Sequence, residues 1–294
     1  MVTFRLLLIS SRPWDWIKNA FLLAPLLFSK NLLNLELLPK TLLAFGLYCL
    51  AAGAIYIIND ISDRDQDKQH PHKKTRPIAS GALSVPPAAS AAAFLLTTAL
   101  AGAFLLRLPF GLVTAGYVLL AMVYSRWLKH VVILDVFAIA AGFVLRVVAG
   151  SLVIDVSMSH WLLVCTMLLA LFLGFSKRRY ELVALVNNGT LHRRVLSEYD
   201  PLFLDMMIGI VTSATVVAYT LYTVSNDTVQ KFHTDRLLFT MPFVLYGIFR
   251  YLYLVYHRND GGNPARTLLA DGPLLVNMIV WGLASGVILY TAHP

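Results

Sequence analysis

Apolar runs long enough to cross a lipid bilayer recur along nearly the whole 294-residue chain, and nothing constrains its folding more. A spanning helix needs about 20 apolar residues. Runs near that length lie at 17–37, 40–60, 85–106, 108–126, 131–154, 160–186, 202–224, 236–257 and 273–292. Hydrocarbon offers no partner to an unpaired backbone N–H or C=O, so such runs must cross as helices. Composition agrees: 58% of residues are hydrophobic and 14% charged, whereas a soluble domain carries about 25% charged residues. The expectation is an all-α polytopic membrane protein with nine transmembrane helices, forming a single membrane domain over 1–294. The first run is the weakest, because Pro25, Lys30 and Asn31 interrupt it. The apolar core Leu6–Ile9 is shorter than a secretory signal requires. Cys49 and Cys165 both lie in apolar runs, which points to neither a disulfide framework nor a cysteine metal site.

Basic residues orient the runs. One set of alternate connections holds 17 Lys and Arg and the other set five, with Arg146 and Arg250 inside helices. The positive-inside rule places the richer set, the N-terminus included, in the cytoplasm, and the C-terminus outside. The long polar segments 61–84, 187–201 and 258–272 all fall on the cytoplasmic side. Polar chemistry on one face suits an enzyme with a water-soluble cytoplasmic substrate. A lipid or ion carrier needs polar groups reaching both faces. Ala51, Ala52, Gly53, the Ala88–Ala93 cluster, Gly142, Ala149 and Gly150 permit close helix packing and leave room for a homo-oligomer.

The second run ends in Asn59-Asp60-Ile61-Ser62-Asp63-Arg64-Asp65-Gln66-Asp67. Carboxylates are costly near a bilayer interior and seldom stand there without partners. If the helix continues, Asp60, Asp63 and Asp67 share one face, with Asn59 beside it. Hard oxygen ligands on one face suit Mg²⁺, which often bridges protein carboxylates to substrate phosphates. A solvated acidic helix end is the plainer alternative. Lys68, His70, His72, Lys73, Lys74 and Arg76 follow directly. Such cations either neutralise the acids or clamp the remaining oxygens of a polyphosphate. Pro71 and Pro77 shape this segment as a loop.

Further cations recur at the same membrane face. Tyr124 and Lys129 lie in the next cytoplasmic turn. Asp135 enters the fifth run and Arg146 lies eleven residues deeper, about three turns on, so both face one way. Either they receive an anion or they pair structurally with other helices. Lys177-Arg178-Arg179-Tyr180-Glu181 is a phosphate-binding cluster or only a topology signal. Near the N-terminus, Trp14 and Trp16 read as interfacial anchors, and Lys18 and Asn19 sit just inside. Arg250, among aromatic residues, either pairs inside the bundle or snorkels to the interface.

Taken together, these residues resemble the UbiA-type superfamily of intramembrane prenyltransferases. The family's Asn-Asp-x-x-Asp-x-x-x-Asp signature is matched by Asn59, Asp60, Asp63 and Asp67. Members have nine helices around a lipid-accessible cavity. Most carry a second aspartate motif where this chain has Lys177-Arg178-Arg179-Tyr180-Glu181. That departure resembles one branch, the decaprenyl-phosphate phosphoribosyltransferases. Four further stretches are similar to the branch: Arg12-Pro13-x-x-Trp16-x-Lys18-Asn19; His70-Pro71 through Arg76-Pro77-Ile78-Ala79-Ser80-Gly81; Leu134-Asp135-Val136 with Leu145-Arg146; and Phe249-Arg250-Tyr251-Leu252-Tyr253 with Gly261-Gly262-x-Pro264. Asp15 departs from the neutral polar residue expected there.

The resemblance implies a bacterial plasma-membrane enzyme of cell-wall biosynthesis with no nucleic-acid partner. It would move 5-phosphoribose from 5-phosphoribosyl diphosphate to a polyprenyl phosphate with Mg²⁺ as cofactor. Asp60, Asp63 and Asp67, with Asn59, would hold the metal. Lys73, Lys74 and Arg76 would take the diphosphate or the sugar 5-phosphate. Lys177, Arg178 and Arg179 would take the lipid phosphate. Lys18, Lys129 and Arg146 are further phosphate candidates, Asp135 a ribose ligand, and Asn19, Tyr124 and Glu181 further substrate contacts. The alternative within the superfamily is transfer of an isoprenyl group from its diphosphate to an aromatic or other acceptor. That alternative requires a second carboxylate cluster, and Asp200 and Asp205 do not repeat the first spacing.

Overall fold

The computed structural model describes residues 2–69, 73–188, 194–258 and 262–292, and helices make up nearly all of them. His70, Pro71, His72 and Gly261, named above, lie outside the described residues. Eight helices among the described residues are long and apolar enough to cross a membrane. The protein is a multi-pass membrane protein.

Two units build the chain. The first comprises residues 1–26, 32–128 and 145–156. Its elements begin with α1 (Val2–Ser10), a 3-10 helix over Pro13–Leu23 and the start of α2 (Ala24–Phe28). They continue with α3 (Leu37–Ser62), α4 (Arg64–Gln69), a 3-10 turn at Lys73–Thr75, α5 (Val85–Leu106), α6 (Leu108–Arg126) and the last turns of α7 (Leu134–Val153). Helix α3 is the central post: 61% of its spanning window is buried, against 17% for α5. Small residues line both helices where they pack. Ala44, Ala51, Ala52 and Ala54 of α3 and Ala88, Ala92, Ala99 and Ala103 of α5 are all buried, so the unit packs on short side chains. Leu22, Leu26, Leu47, Tyr48, Ile55, Phe110 and Tyr117 fill its core. At Gly150 on α7 an added Cβ would stand 2.0 Å from the Leu22 carbonyl oxygen, so the two backbones meet only because this residue is glycine. Leu105 and Leu108 remain exposed, as apolar residues facing lipid should.

The second unit comprises residues 27–31, 129–144 and 157–294. It holds the first turns of α7, then α8 (His160–Asn188), a 3-10 turn over Arg194–Glu198, α9 (Pro201–Val224) and α10 (Asn226–Phe232). A 3-10 lead-in over Arg236–Thr240, α11 (Met241–His257), α12 (Pro264–Ala270) and α13 (Gly272–Thr291) complete it. Val136, Phe172, Phe175, Leu204, Ile208, Ile248, Tyr251 and Leu254 form its main core. Asp200, Asn263 and Asp271 cap the starts of α9, α12 and α13 by accepting from backbone N–H groups, which satisfies donors a helix start leaves open.

The first expected span, 17–37, is not one of the eight continuous helices. Residues Pro13–Leu23 wind as an 11-residue 3-10 helix and α2 adds five residues before the chain turns. Pro13 and Pro25 remove amide donors, and the polar Lys30 and Asn31 follow. A 3-10 helix rises about 2.0 Å per residue and an α-helix about 1.5 Å. The stretch therefore reaches about 30 Å, a hydrocarbon thickness.

Candidate active site

Helix α3 stops at Ser62, and Asp63 caps it with φ −91° and ψ 7°. The break is shallow. The Asp63 N–H donates to the Asn59 carbonyl at 2.8 Å and the Asp67 N–H to the Asp63 carbonyl at 2.8 Å, so helical bonds bridge it. Asp60 and Asp67, two turns apart, reach one partner. Arg76 Nη1 lies 3.1 Å from Asp60 Oδ1 and 2.6 Å from Asp67 Oδ2. Arg12 donates through Nη2 to the same Asp60 oxygen, and Lys73 Nζ stands 3.8 Å from Asp67 Oδ1. Asp60 is 2% and Asp67 3% exposed. Two buried carboxylates held by cations from elsewhere in the chain are not a solvated helix end.

Other acids of the run differ. Asp65 is exposed and accepts from Lys68 at 2.8 Å, which holds its carboxyl below the usual range. Asp63 falls on the helix break. Among the described residues no three of the His, Cys, Asp and Glu side chains gather as metal ligands. Of the three expected carboxylates, Asp60 and Asp67 converge on one partner, and Asp63 stands at the helix break between them. Asn59, half-buried beside the pair, accepts through Oδ1 from Ser125 Oγ of α6 at 2.6 Å.

The donor set fits a hard divalent cation. Asp60 and Asp67 present buried oxygens no more than about 6 Å apart, since both touch one nitrogen. That nitrogen is already a positive charge between them. An amide oxygen stands next in sequence, and hard oxygens are the donors Mg²⁺ prefers.

A second constellation in the same unit surrounds Arg146. This residue is 7% exposed. Its Nε donates to Asn19 Oδ1 at 2.8 Å and its Nη2 to the Tyr117 hydroxyl at 2.8 Å, and the guanidinium lies 4.6 Å from the Tyr117 ring centroid. Asn19 donates in turn to Cys49 Sγ at 3.4 Å. Lys18 is held by Asp15 at 2.7 Å, which gives that departing residue a role.

In the second unit Asp135, fully buried, accepts from Arg178 Nε at 2.5 Å and from the Tyr199 hydroxyl at 2.7 Å. Tyr199 also accepts the Ile133 N–H at 2.7 Å. Burial, with Asp135 beside it, pushes the Tyr199 phenol well up. Arg178, also fully buried, reaches Glu181 at 2.6 Å, and Lys177 stands 3.8 Å from the same carboxylate. Arg179 binds Asp205 at 2.6 Å and stacks 3.8 Å over Tyr256.

Two expectations are corrected here. Arg178 is not offered to a phosphate, and both Asp135 oxygens are engaged rather than presented to ribose. A guanidinium taken out of water demands such compensation. Asp135 takes its partners from the second unit, and Arg146 pairs with Asn19 and Tyr117 of the first. Arg250 pairs with Asp271, the cap of α13, through two bonds, at 3.0 and 2.7 Å.

Tyr124 is half-buried in the last turn of α6, Lys129 half-buried after it, and Lys74 exposed next to Lys73. Sequence reasoning left out Arg12, Ser125, Tyr117 and Tyr199. For Arg12 the signal in the sequence was its place at the head of the Arg12-Pro13 stretch; the structure adds a left-handed φ of 51°. Strain of that kind gathers at functional positions.

The sequence matches the model of the UbiA prenyltransferase family over residues 21–278. It is 30% identical to the decaprenyl-phosphate phosphoribosyltransferase of Mycolicibacterium smegmatis, over 95% of this chain and 91% of that protein. It is 30% identical to the protein of the same description in Corynebacterium glutamicum, over 92% and 82%. The fold is similar to that of a UbiA homolog from Archaeoglobus fulgidus bound to GPP and Mg²⁺, with a TM-score of 0.72 at 19% identity, covering 97% of this chain and all of that one.

Proposed function

The chain belongs to the UbiA prenyltransferase family, and we propose that it transfers 5-phosphoribose from 5-phosphoribosyl diphosphate to a polyprenyl phosphate such as decaprenyl phosphate. The observation that carries this is the pair Asp60 and Asp67, buried and ringed by Arg12, Lys73 and Arg76. Carboxylates with adjacent cations suit a metal diphosphate, and the curated relatives bear names of this activity.

Asp60 and Asp67, with Asn59 and Asp63, would hold Mg²⁺, which supplies charge stabilisation to a departing diphosphate. Arg12, Lys73, Lys74 and Arg76 take phosphate oxygens of the same donor. Ser125 orients Asn59. The lipid phosphate is assigned to Lys177 and Arg179, with Lys129 of the same unit; Lys18 and Arg146, with Asn19, stay further phosphate candidates. Tyr124 is kept as a substrate contact. Arg178, Asp135 and Glu181 act through the fold instead. In the reaction a lipid phosphate oxygen forms the new bond to C1, and the C1–O bond to diphosphate breaks. A phosphate monoester is largely ionised near pH 7, so no protein base is needed. Catalysis then rests on positioning and fixed charge.

The same proposal includes one UbiA-like domain over 1–294 in a bacterial plasma membrane, with the N-terminus and active site cytoplasmic and the C-terminus outside.

Purified protein, Mg²⁺, labelled phosphoribosyl diphosphate and polyprenyl phosphate form the test. Expected products are polyprenyl-phosphoryl-5-phosphoribose and diphosphate, with Asp60→Asn lowering turnover on the order of 10²–10³-fold, as for loss of a charge-stabilising group. Isoprenyl transfer to an aromatic acid without use of the sugar donor would sink the proposal.

A further inference from the structure

We infer that Arg76, with Arg12 beside it, is an internal counter-cation. Its guanidinium occupies Asp60 and Asp67 when no metal diphosphate is bound and passes to the diphosphate oxygens when one is. The inference rests on the metal–diphosphate function proposed above.

Space comes first. One Arg76 nitrogen stands 3.1 Å from an Asp60 oxygen and 2.6 Å from an Asp67 oxygen. An Mg²⁺ bound to both oxygens at about 2.1 Å needs the volume that nitrogen fills. Ion and guanidinium therefore exclude one another.

Charge comes next. Two buried carboxylates so close repel unless cations stand by, and Arg12 and Arg76 supply two positive charges. A bare Mg²⁺ would enter against both. A diphosphate brings its own negative charge and offers the displaced guanidinium new acceptors. Metal and diphosphate should therefore bind together, and metal alone poorly.

Freedom to move comes last. The Arg76 backbone is pinned: its N–H donates to the Lys73 carbonyl at 3.0 Å, and its carbonyl accepts from the Ser80 N–H at 2.9 Å. Pro77, Ile78 and Ala79 after it are buried. Its side chain is 27% exposed. A long side chain on a fixed backbone, open on one side, can swing without the loop moving.

The experiment measures Mn²⁺ affinity by electron paramagnetic resonance on purified protein without diphosphate, and the melting shift given by Mg²⁺ alone. Arg76→Ala should bind Mn²⁺ about tenfold more tightly than the parent, within the usual range of coupling between sites. Mg²⁺ alone should raise its melting temperature more than the parent's. Arg76→Lys, which keeps the charge, should behave like the parent. Inorganic diphosphate at saturating Mg²⁺ should bind Arg76→Ala more weakly. Should Arg76→Ala fold only when Mg²⁺ is present, that dependence supports the inference equally. Mn²⁺ affinity in Arg76→Ala equal to or weaker than in the parent overturns it. Absence of Mn²⁺ binding to parent and variant alike, with diphosphate or without, overturns the metal–diphosphate function itself and is a separate result.

Discussion

Asp135 and Arg178 illustrate how much one buried charge asks of its surroundings. Each is fully buried, and neither side chain has water to fall back on. Asp135→Asn removes the charge but not the shape. It leaves the Arg178 guanidinium short of compensation, which for a buried pair costs about 3–5 kcal/mol. Thermal unfolding in detergent should fall accordingly. Arg179→Ala, whose partner Asp205 is partly exposed, should cost less by the same measurement. At the acidic run the contrast is between Asp67 and Asp65. Asp67→Asn should cripple transfer, whereas Asp65→Asn, at an exposed position paired with Lys68, should leave turnover within about twofold, since surface pairs contribute little.

Between elements, the approach of α7 to the 3-10 helix depends on one missing side chain. Gly150→Ala drives a methyl group into the Leu22 carbonyl, and overpacking of this kind costs about 1–3 kcal/mol. Gly116 in α6 has open space where a Cβ would go. Gly116→Ala should be neutral or stabilise by about 0.5–1 kcal/mol, because alanine loses less backbone freedom in a helix. A lower melting temperature for the Gly116 variant than for the Gly150 variant would contradict this packing. The α11–α13 contact adds a pH test. Arg250 lowers the Asp271 carboxyl below its ordinary value, helped by the Leu274 N–H. Stability from this pair is present above the ordinary carboxylate range and drains as pH falls through the lowered value. Asp271→Asn should therefore flatten the acid limb of the stability profile while sparing stability relations at its low end.

At the scale of the molecule, orientation and span number can be tested together. In a background lacking Cys49 and Cys165, Lys74→Cys should react with an impermeant reagent only from the cytoplasmic side and Lys231→Cys only from outside. Arg5→Cys decides whether the stretch containing the 3-10 helix and α2 crosses. Labelling from the side that reaches Lys74→Cys means nine crossings; labelling from the other side means eight.

Much of this was legible in the residues alone. Helices, membrane and the location of the acidic run follow from local properties: run length, hydropathy and the cost of bare backbone in lipid. The asymmetry of Lys and Arg is local too. What the sequence leaves open is which charge meets which. Arg12 finds Asp60 across 48 residues, Ser125 finds Asn59 across 66, and Asn19 finds Arg146 across 127. The spacing 60, 63, 67 marks the carboxylates, but only the fold brings Asp60 and Asp67 onto one guanidinium, that of Arg76. Lys177, Arg178 and Arg179 look alike in a row, yet packing buries one and leaves its neighbours partly exposed. Run length and residue chemistry are enough for the helices, the membrane and the groups available to react. The pairing comes from the packed fold, because a buried charge is matched by whatever the helices bring beside it.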